Sequence, residues 1–397
     1  MRKDKIEHII EYAVYHDNLD KKISLPGIKN GFPIKSFFSK KSDFKIKDFE
    51  YLTKNIINDS IKNINEINLL CSGGVDSSLL VYFLNEKNKK FITITNYYPN
   101  HKLNDLYKIK SLSKFQKFKL KKIEITSKNY LKGMKLSFKN NYFGNTYAPT
   151  LYYSLNQLKN NKNKILMTGS GPDELFYGME KYDLKFFEKL SNLKTNIALE
   201  KIDTNYNYKF YKNILNSYGL EILNNIIKKR RNLYKEISEI NSNIFEAQRI
   251  LAYCTVSNQH FEMFEKISKN YKLNHVSPFL NINYIKFAFS IKLANFLNIQ
   301  NERIKLDSNV GKKQLKEMLT LYTSKKHAYD KKIGFHAPVS KMINENRIRR
   351  NLNYNLNLDR LEKIIDIDKL FINLNKNSVK NLNYNIYSLI GVNNMIV

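Results

Sequence analysis

Cys71-Ser72-Gly73-Gly74-Val75-Asp76-Ser77-Ser78 lies between an apolar run, INLL, and a helical one, SLLVYFL. Two adjacent glycines remove Cβ atoms where an anion must approach the backbone. The first amides of a helix that starts there have no intrahelical partner. Ser72, Ser77 and Ser78 add hydroxyl donors, so the string has the chemistry of a phosphate-binding turn. Asp76 would repel a phosphate directly, and a Mg2+ placed between them removes the conflict. The spacing is not GxxxxGK[ST], and no such string occurs nearby.

A second string, Thr168-Gly169-Ser170-Gly171-Pro172-Asp173-Glu174-Leu175-Phe176-Tyr177-Gly178, closes the apolar run KILM and enters another helix. Glycines and a carboxylate again stand where a strand gives way to a helix. Asp173 fits two roles: a helix cap, or a second Mg2+ ligand facing Asp76 across a cleft.

Both strings need a scaffold that brings strand ends together. Between about residues 67 and 190, apolar runs of four to six residues alternate with amphipathic stretches. That alternation predicts an α/β fold: a doubly wound, mostly parallel sheet with helices on both faces and ligands at the carboxyl ends of the strands. From about 205 onward the pattern is mainly helical, with Asn-rich links late in the chain. The expected organisation is one domain over 51–397, with an α/β core at about 60–200 and a helical part at about 205–397. Residues 1–50 are a short N-terminal appendage.

SGGVDSS resembles the PP-loop of ATP pyrophosphatases, which split ATP into AMP and pyrophosphate while adenylating a substrate oxygen. The second string resembles the asparagine synthetase signature G-E-G-x-D-E-L-F-x-G. Val276-Ser277-Pro278-Phe279-Leu280-Asn281 is similar to that family's V-P-F-L-D, and Lys312-Lys313-Gln314-Leu315-Lys316 to its K-x-x-L-R. Lys332-Ile333-Gly334-Phe335 with Pro338 is similar to its late K-x-G-F element. The resemblance implies an ATP-dependent amide-forming ligase that uses Mg2+. ATP phosphates would lie on Ser72, Gly73, Gly74, Asp76, Ser77, Ser78 and Lys332, and adenosine against Cys71, Ile94, Thr168 and Gly169. Asp76 and Asp173 would hold the metal, and Lys312 would offset the charge of departing pyrophosphate.

Departures from that family pattern bear on the substrate. The family's glutaminase half, with its N-terminal Cys nucleophile, is not seen: Arg2 follows Met1. Nitrogen is therefore expected from free ammonia, a separate glutaminase or a substrate amine. The signature's first Glu is Ser170, and Asn274 and Val276 occupy its E-x-R positions. The acceptor is expected to be a small-molecule or peptide carboxylate, and it need not be aspartate. The related beta-lactam synthetases and lasso-peptide cyclases vary at these positions too. In the former a Glu before the P-F-L segment serves in a catalytic dyad, and Glu262 lies at the corresponding distance before Pro278. It is the candidate base, because the seven His residues show no spacing of a metal site or a Ser/His dyad.

Lys plus Arg is 67 and Asp plus Glu is 36, a formal charge of +31 that ordinarily points to nucleic acid. Abundant Asn, Ile, Tyr and Phe beside the lysines favour a charge spread over the whole surface, with no nucleic acid as partner. Two other readings stay open on the sequence: a PP-loop enzyme acting on tRNA, and a nucleotide-binding scaffold without catalysis. Cys71 and Cys254, the only cysteines, exclude a disulfide framework or a Cys-rich zinc site. With no apolar leader and no membrane-length apolar stretch, the expectation is a soluble cytoplasmic protein.

Overall fold

The computed structural model describes residues 3–15, 41–64, 66–99, 105–140, 142–158, 164–178, 189–204, 206–296, 298–300, 303–305, 311–330, 337–345, 356–376 and 379–396. The apolar runs that precede the glycine strings are strands. β1 (Glu66–Leu70), β2 (Lys90–Tyr97), β3 (Lys119–Glu124), β4 (Ile165–Met167) and β5 (Asn274–Val276) form one sheet. Their order is β3-β2-β1-β4-β5 and every pairing is parallel. This is the expected doubly wound α/β fold. The fifth strand is an addition, since NHV is too short and too polar to read as one.

The order matters for the site. From central β1 the chain winds outward through β2 and β3, then returns to lay β4 on the other side of β1. The connections after β1 and β4 leave in opposite directions, which opens a crevice at the carboxyl ends of these two strands. Both glycine strings emerge there.

Alternation along β1 sends Ile67 and Leu69 to one face, and Asn68 and Leu70 to the other. The first face packs on α2 (Ile46–Ile61) and α3 (Val75–Glu86), through Phe49, Ile57, Leu79, Leu80 and Phe83. The second face packs on α1 (Lys3–Tyr15), α5 (Ser127–Lys139) and α6 (Ala148–Asn156), through Ile9, Ile10, Tyr130, Leu151 and Leu155. Between these, α4 (Leu106–Leu112) follows β2. On the edge, Lys119, Lys121 and Lys122 of β3 are exposed, which discourages further strand pairing.

After β4 come the short α7 (Pro172–Leu175), the long α8 (Ser217–Ile240), α9 (Ile244–Ala252), a π-helical turn at Tyr253–Ser257, and α10 (Asn258–Asn270). Further on lies α11 (Lys313–Thr320). The fully buried Arg230 of α8 ties in the N-terminal helix: it reaches Glu11 at 3.3 Å and Asp203 at 2.6 Å, and lies over the Tyr15 ring. Among the described residues, no helix is long and apolar enough to cross a membrane.

Candidate active site

Strand β1 delivers the first string to the crevice. Cys71 is still paired with β2, its amide donating to Ile94 O at 2.9 Å and its carbonyl accepting from Thr95 Oγ1 at 2.6 Å. The chain then turns at Gly73, whose φ of +71° suits glycine. A Cβ there would lie 2.7 Å from the Lys108 carbonyl carbon, so the loop is wedged against α4. Gly74 caps α3 with no side-chain cap, while Ser72 Oγ accepts from Gly74 N at 3.3 Å. A glycine cap leaves the first turn of α3 facing the crevice with backbone amides and no competing side chain.

The second string meets the first directly. Thr168 N donates to Val276 O at 3.0 Å, which extends the β4–β5 pairing by one residue. At Gly169 a Cβ would come within 2.9 Å of Asp76 Cβ, so only glycine lets the two loops close on each other. Gly171, at φ +114°, reverses the chain against Leu280 and starts α7. Asp173 lies in the first turn of α7, which Gly178 N closes by donating to Asp173 O at 2.8 Å.

Lys312 completes the arrangement from a distant segment. It precedes α11 in a left-handed conformation, and its amide donates to Phe176 O at 2.8 Å, docking it on the second string. Its Nζ forms a close ion pair with Asp76 Oδ2 and lies 2.9 Å from Asp173 Oδ1. Burial alone would lower the Lys312 pKa; Asp173 and Asp76 outweigh it and hold the ammonium above its usual range. Three residues singled out in the sequence therefore converge on one point at the crevice mouth.

Asp76 and Asp173 each reach the same ammonium, so their oxygens are close enough to share one cation. Two hard carboxylates beside a phosphate-binding turn suit Mg2+, which takes one or two carboxylates and completes its shell with phosphate oxygens and water. Among the described residues, no group of three or more His, Cys, Asp or Glu forms a metal cage. Two carboxylates could hold such an ion only with further ligands from outside the protein.

The family model for asparagine synthase matches residues 53–374. The chain belongs to the asparagine synthase family. It is thereby an ATP-dependent, ligase-type enzyme. No curated protein matches it. Among solved structures it is similar to the NMN synthetase from Francisella tularensis at 16% identity, over 59% of this chain and 99% of that one. The TM-score is 0.28, a likeness too distant to inform fold or activity.

The other residues that the sequence singles out fall into different places. Ser77 Oγ donates to Gly74 O at 3.2 Å, within the loop. Ser78 is fully buried and its hydroxyl pairs with His327 Nε2 at 3.3 Å, while His327 Nδ1 pairs with Ser111 Oγ at 2.9 Å. The Ser78 side chain thus faces the protein interior. Burial, with Lys108 nearby, pushes His327 below its usual pKa and favours the neutral ring. Cys71 and Ile94 are buried beneath the loop, where burial raises the Cys71 thiol to about 11. Glu262 pairs with Lys266 at 2.7 Å, and its charge is felt by the buried Tyr12 and Tyr142. Lys332 lies outside the described residues.

Four side chains around the site were given no role from the sequence. His275, on β5, brings Nε2 to 2.8 Å from Thr168 Oγ1, which lies 3.2 Å from Ser170 Oγ. Glu265 Oε1 stands 3.6 Å from His275 Nδ1. The spacing of the histidines suggested no Ser/His dyad, yet among the described residues His275 and His327 make three hydroxyl–imidazole pairings across long stretches of chain. Asp105, at the start of α4 beside the loop, is a half-buried carboxylate whose pKa desolvation raises to about 7 against the pull of Lys108. Glu174, next to Asp173, is buried with His260 Nδ1 3.5 Å from its Oε1.

Proposed function

We propose that this chain adenylates a substrate carboxylate with ATP, releases pyrophosphate, and passes the acyl group to ammonia or an amine. The observation that carries the reading is the meeting of Asp76, Asp173 and Lys312 at the mouth of the β1/β4 crevice. It joins the phosphate loop, the second string and a distant lysine in the one place where an α/β sheet of this order binds ligands.

Each residue has a part that follows from its position. The glycine turn and the first amides of α3 would hold the ATP phosphates while the carboxylate oxygen attacks the α-phosphorus. Negative charge grows on the departing pyrophosphate, and Lys312, fixed in its protonated form, faces that charge with no reorganisation. Asp76 and Asp173 would hold Mg2+, which when bound neutralises phosphate charge. The nitrogen then attacks the acyl carbon and AMP leaves with the bonding electron pair.

Ammonia from a separate protein, or an amine on the substrate, suits this chain better than glutamine hydrolysed in place. Its two thiols, Cys71 and Cys254, are buried and raised to about 11 and about 12, burial being the main cause for each. Neither is a nucleophile at neutral pH. Small-molecule and peptide carboxylates both fit as acceptors, because Ser170 replaces a carboxylate that would otherwise charge the pocket. The test is ATP–pyrophosphate exchange with Mg2+ across amino-acid, hydroxy-acid, sugar-acid and peptide carboxylates. Exchange that depends on one carboxylate class is expected; exchange with none of them contradicts the reading.

A further inference from the structure

The proposed reaction ends with a nitrogen that must lose a proton, and the position of the family's carboxylate is here a serine. We propose that His275 accepts this proton through Thr168 and Ser170, so that a hydroxyl relay ending on an imidazole replaces the missing carboxylate. The inference rests on the reading above and deepens it.

The geometry fixes the direction of the relay. His275 Nδ1 faces Glu265 Oε1 at 3.6 Å, a charge contact and not a hydrogen bond. An unprotonated Nδ1 would set two acceptors against each other, so the proton belongs on Nδ1 and Nε2 is the acceptor. Thr168 then donates to Nε2 at 2.8 Å, which leaves Thr168 Oγ1 free to accept from Ser170 at 3.2 Å. Ser170 Oγ in turn keeps its lone pairs for an incoming N–H. The 3.2 Å step is longer than the ~2.7–2.8 Å usual between hydroxyls, and catalytic hydrogen bonds often tighten only when substrate is bound.

The surroundings hold this chain in place. Ser277 Oγ donates to Ser170 O at 2.9 Å and fixes the backbone under the serine. The His275 side chain is fully buried, with its ring on Phe264 and near Phe261. Thr168 is buried and Ser170 half-buried, so the relay runs from the cleft inward. Glu265 of α10, backed by Lys269 at 3.2 Å, is the charged group facing the ring; β4 offers only apolar side chains and Thr168. Burial depresses the His275 pKa and Glu265 partly restores it, leaving the ring neutral and able to accept at neutral pH. Glu262, three residues before Glu265, is engaged instead with Lys266.

The step balances. The C–N bond forms as the acyl C–O bond to AMP breaks, and AMP takes the electron pair. The nitrogen's proton passes to Ser170, the Ser170 proton to Thr168, and the Thr168 proton to His275, whose imidazolium is stabilised by Glu265. Ser170 is the group that meets the substrate nitrogen, and His275 acts through it.

The test compares two partial reactions of the whole chain, using the carboxylate that best supports exchange and hydroxylamine as the nitrogen probe. Hydroxylamine itself titrates in the mildly acidic range, so each rate is expressed per unprotonated hydroxylamine and the wild type is read against the variant at the same pH. In His275→Gln the ratio of hydroxamate formation to ATP–pyrophosphate exchange should fall about 10²-fold, the size of a lost general base. The wild-type hydroxamate rate should rise with pH through a limb below the ordinary His value of about 6.5, and the variant should lose that limb. Ser170→Ala should show the same selective loss, which covers the case of a His275 variant that folds poorly. In the wild type, 15N NMR should find the His275 proton on Nδ1. An unchanged ratio in both variants, or a proton on Nε2, overturns the relay. Absence of exchange in the wild type would instead overturn the adenylation reading, and the relay with it.

Discussion

Two buried cations flank the same short helix α7, and they differ in what surrounds them. Arg249 donates to Leu175 O at 3.2 Å, to Ala288 O at 3.1 Å and to Glu246 Oε2 at 2.6 Å, with the rings of Phe289 and Phe296 at 4.7 Å. Lys312 meets the carboxylates of Asp76 and Asp173. The Glu246 side chain is 4% exposed, whereas those of Asp76 and Asp173 are 18% and 25% exposed. Arg249 is therefore bound by fixed parts of the fold that no ligand can reach. The carboxylates on Lys312 are partly open to solvent, and under the proposed reading they would exchange partners with a nucleotide. Under the proposed function, access from the cleft, and not burial, is what separates the two ion clusters.

Substitutions in the two clusters should separate activity from stability. Asp173→Ala and Asp76→Ala should each lower carboxylate-dependent exchange by at least ~10³-fold, and Lys312→Ala by ~10²–10³-fold, with melting changed little. Near-normal exchange in Asp173→Ala would remove its metal role and merge the two clusters into one structural class. Arg249→Ala should instead destabilise the fold by up to ~3–5 kcal/mol in denaturant unfolding, because the buried Glu246 loses its 2.6 Å partner and keeps only the Lys41 ammonium at 3.4 Å. Unchanged stability there would show that the Arg249 cluster is not structural.

The Lys312 side of the comparison was legible in the sequence, and the reason is physical. Gly73, Gly74 and Gly169 stand where backbone and side chain must pass closely, and Asp76 and Asp173 follow strand-to-helix turns, so local strings record the crevice. The role of Lys312 came only from its resemblance to a family element, since one lysine among many has no local signal. Ser78 reads as a loop hydroxyl but faces inward: neighbours on a helix point about 100° apart, so Ser77 and Ser78 cannot both face the crevice. β5 was missed because three residues, two of them polar, make a strand only through pairing with β4. Likewise His275 meets Thr168 across a long span of sequence, and Glu265 is separated from the candidate Glu262 by less than one helical turn. Contacts set by tertiary packing leave no spacing to read.

Asp105 sharpens the comparison as a part-buried carboxylate whose desolvation Lys108 only partly offsets. A carboxyl raised from 3.8 to about 7 gives stability that is fully present below pH 3.8 and is lost as pH rises through about 7. Asp105→Asn should thus be more stable than wild type at pH 8 by about 1–3 kcal/mol, with the difference closing towards pH 4 in denaturant titrations. A gap that widens on acidification would reverse the sign of this assignment. The smallest effect concerns the +31 surface charge. Binding to bulk tRNA should stay in the ~10⁻⁴ to 10⁻⁶ M range of non-specific contact and collapse with salt. Tight, salt-resistant binding in a filter assay would favour an enzyme acting on tRNA.

The central claim is that the cluster reachable from the crevice serves transfer of AMP to a carboxylate. With an 18O-labelled carboxylate, MgATP and hydroxylamine, the account predicts pyrophosphate as co-product and 18O in the phosphate of AMP. ADP with orthophosphate, and 18O in the orthophosphate, would contradict it.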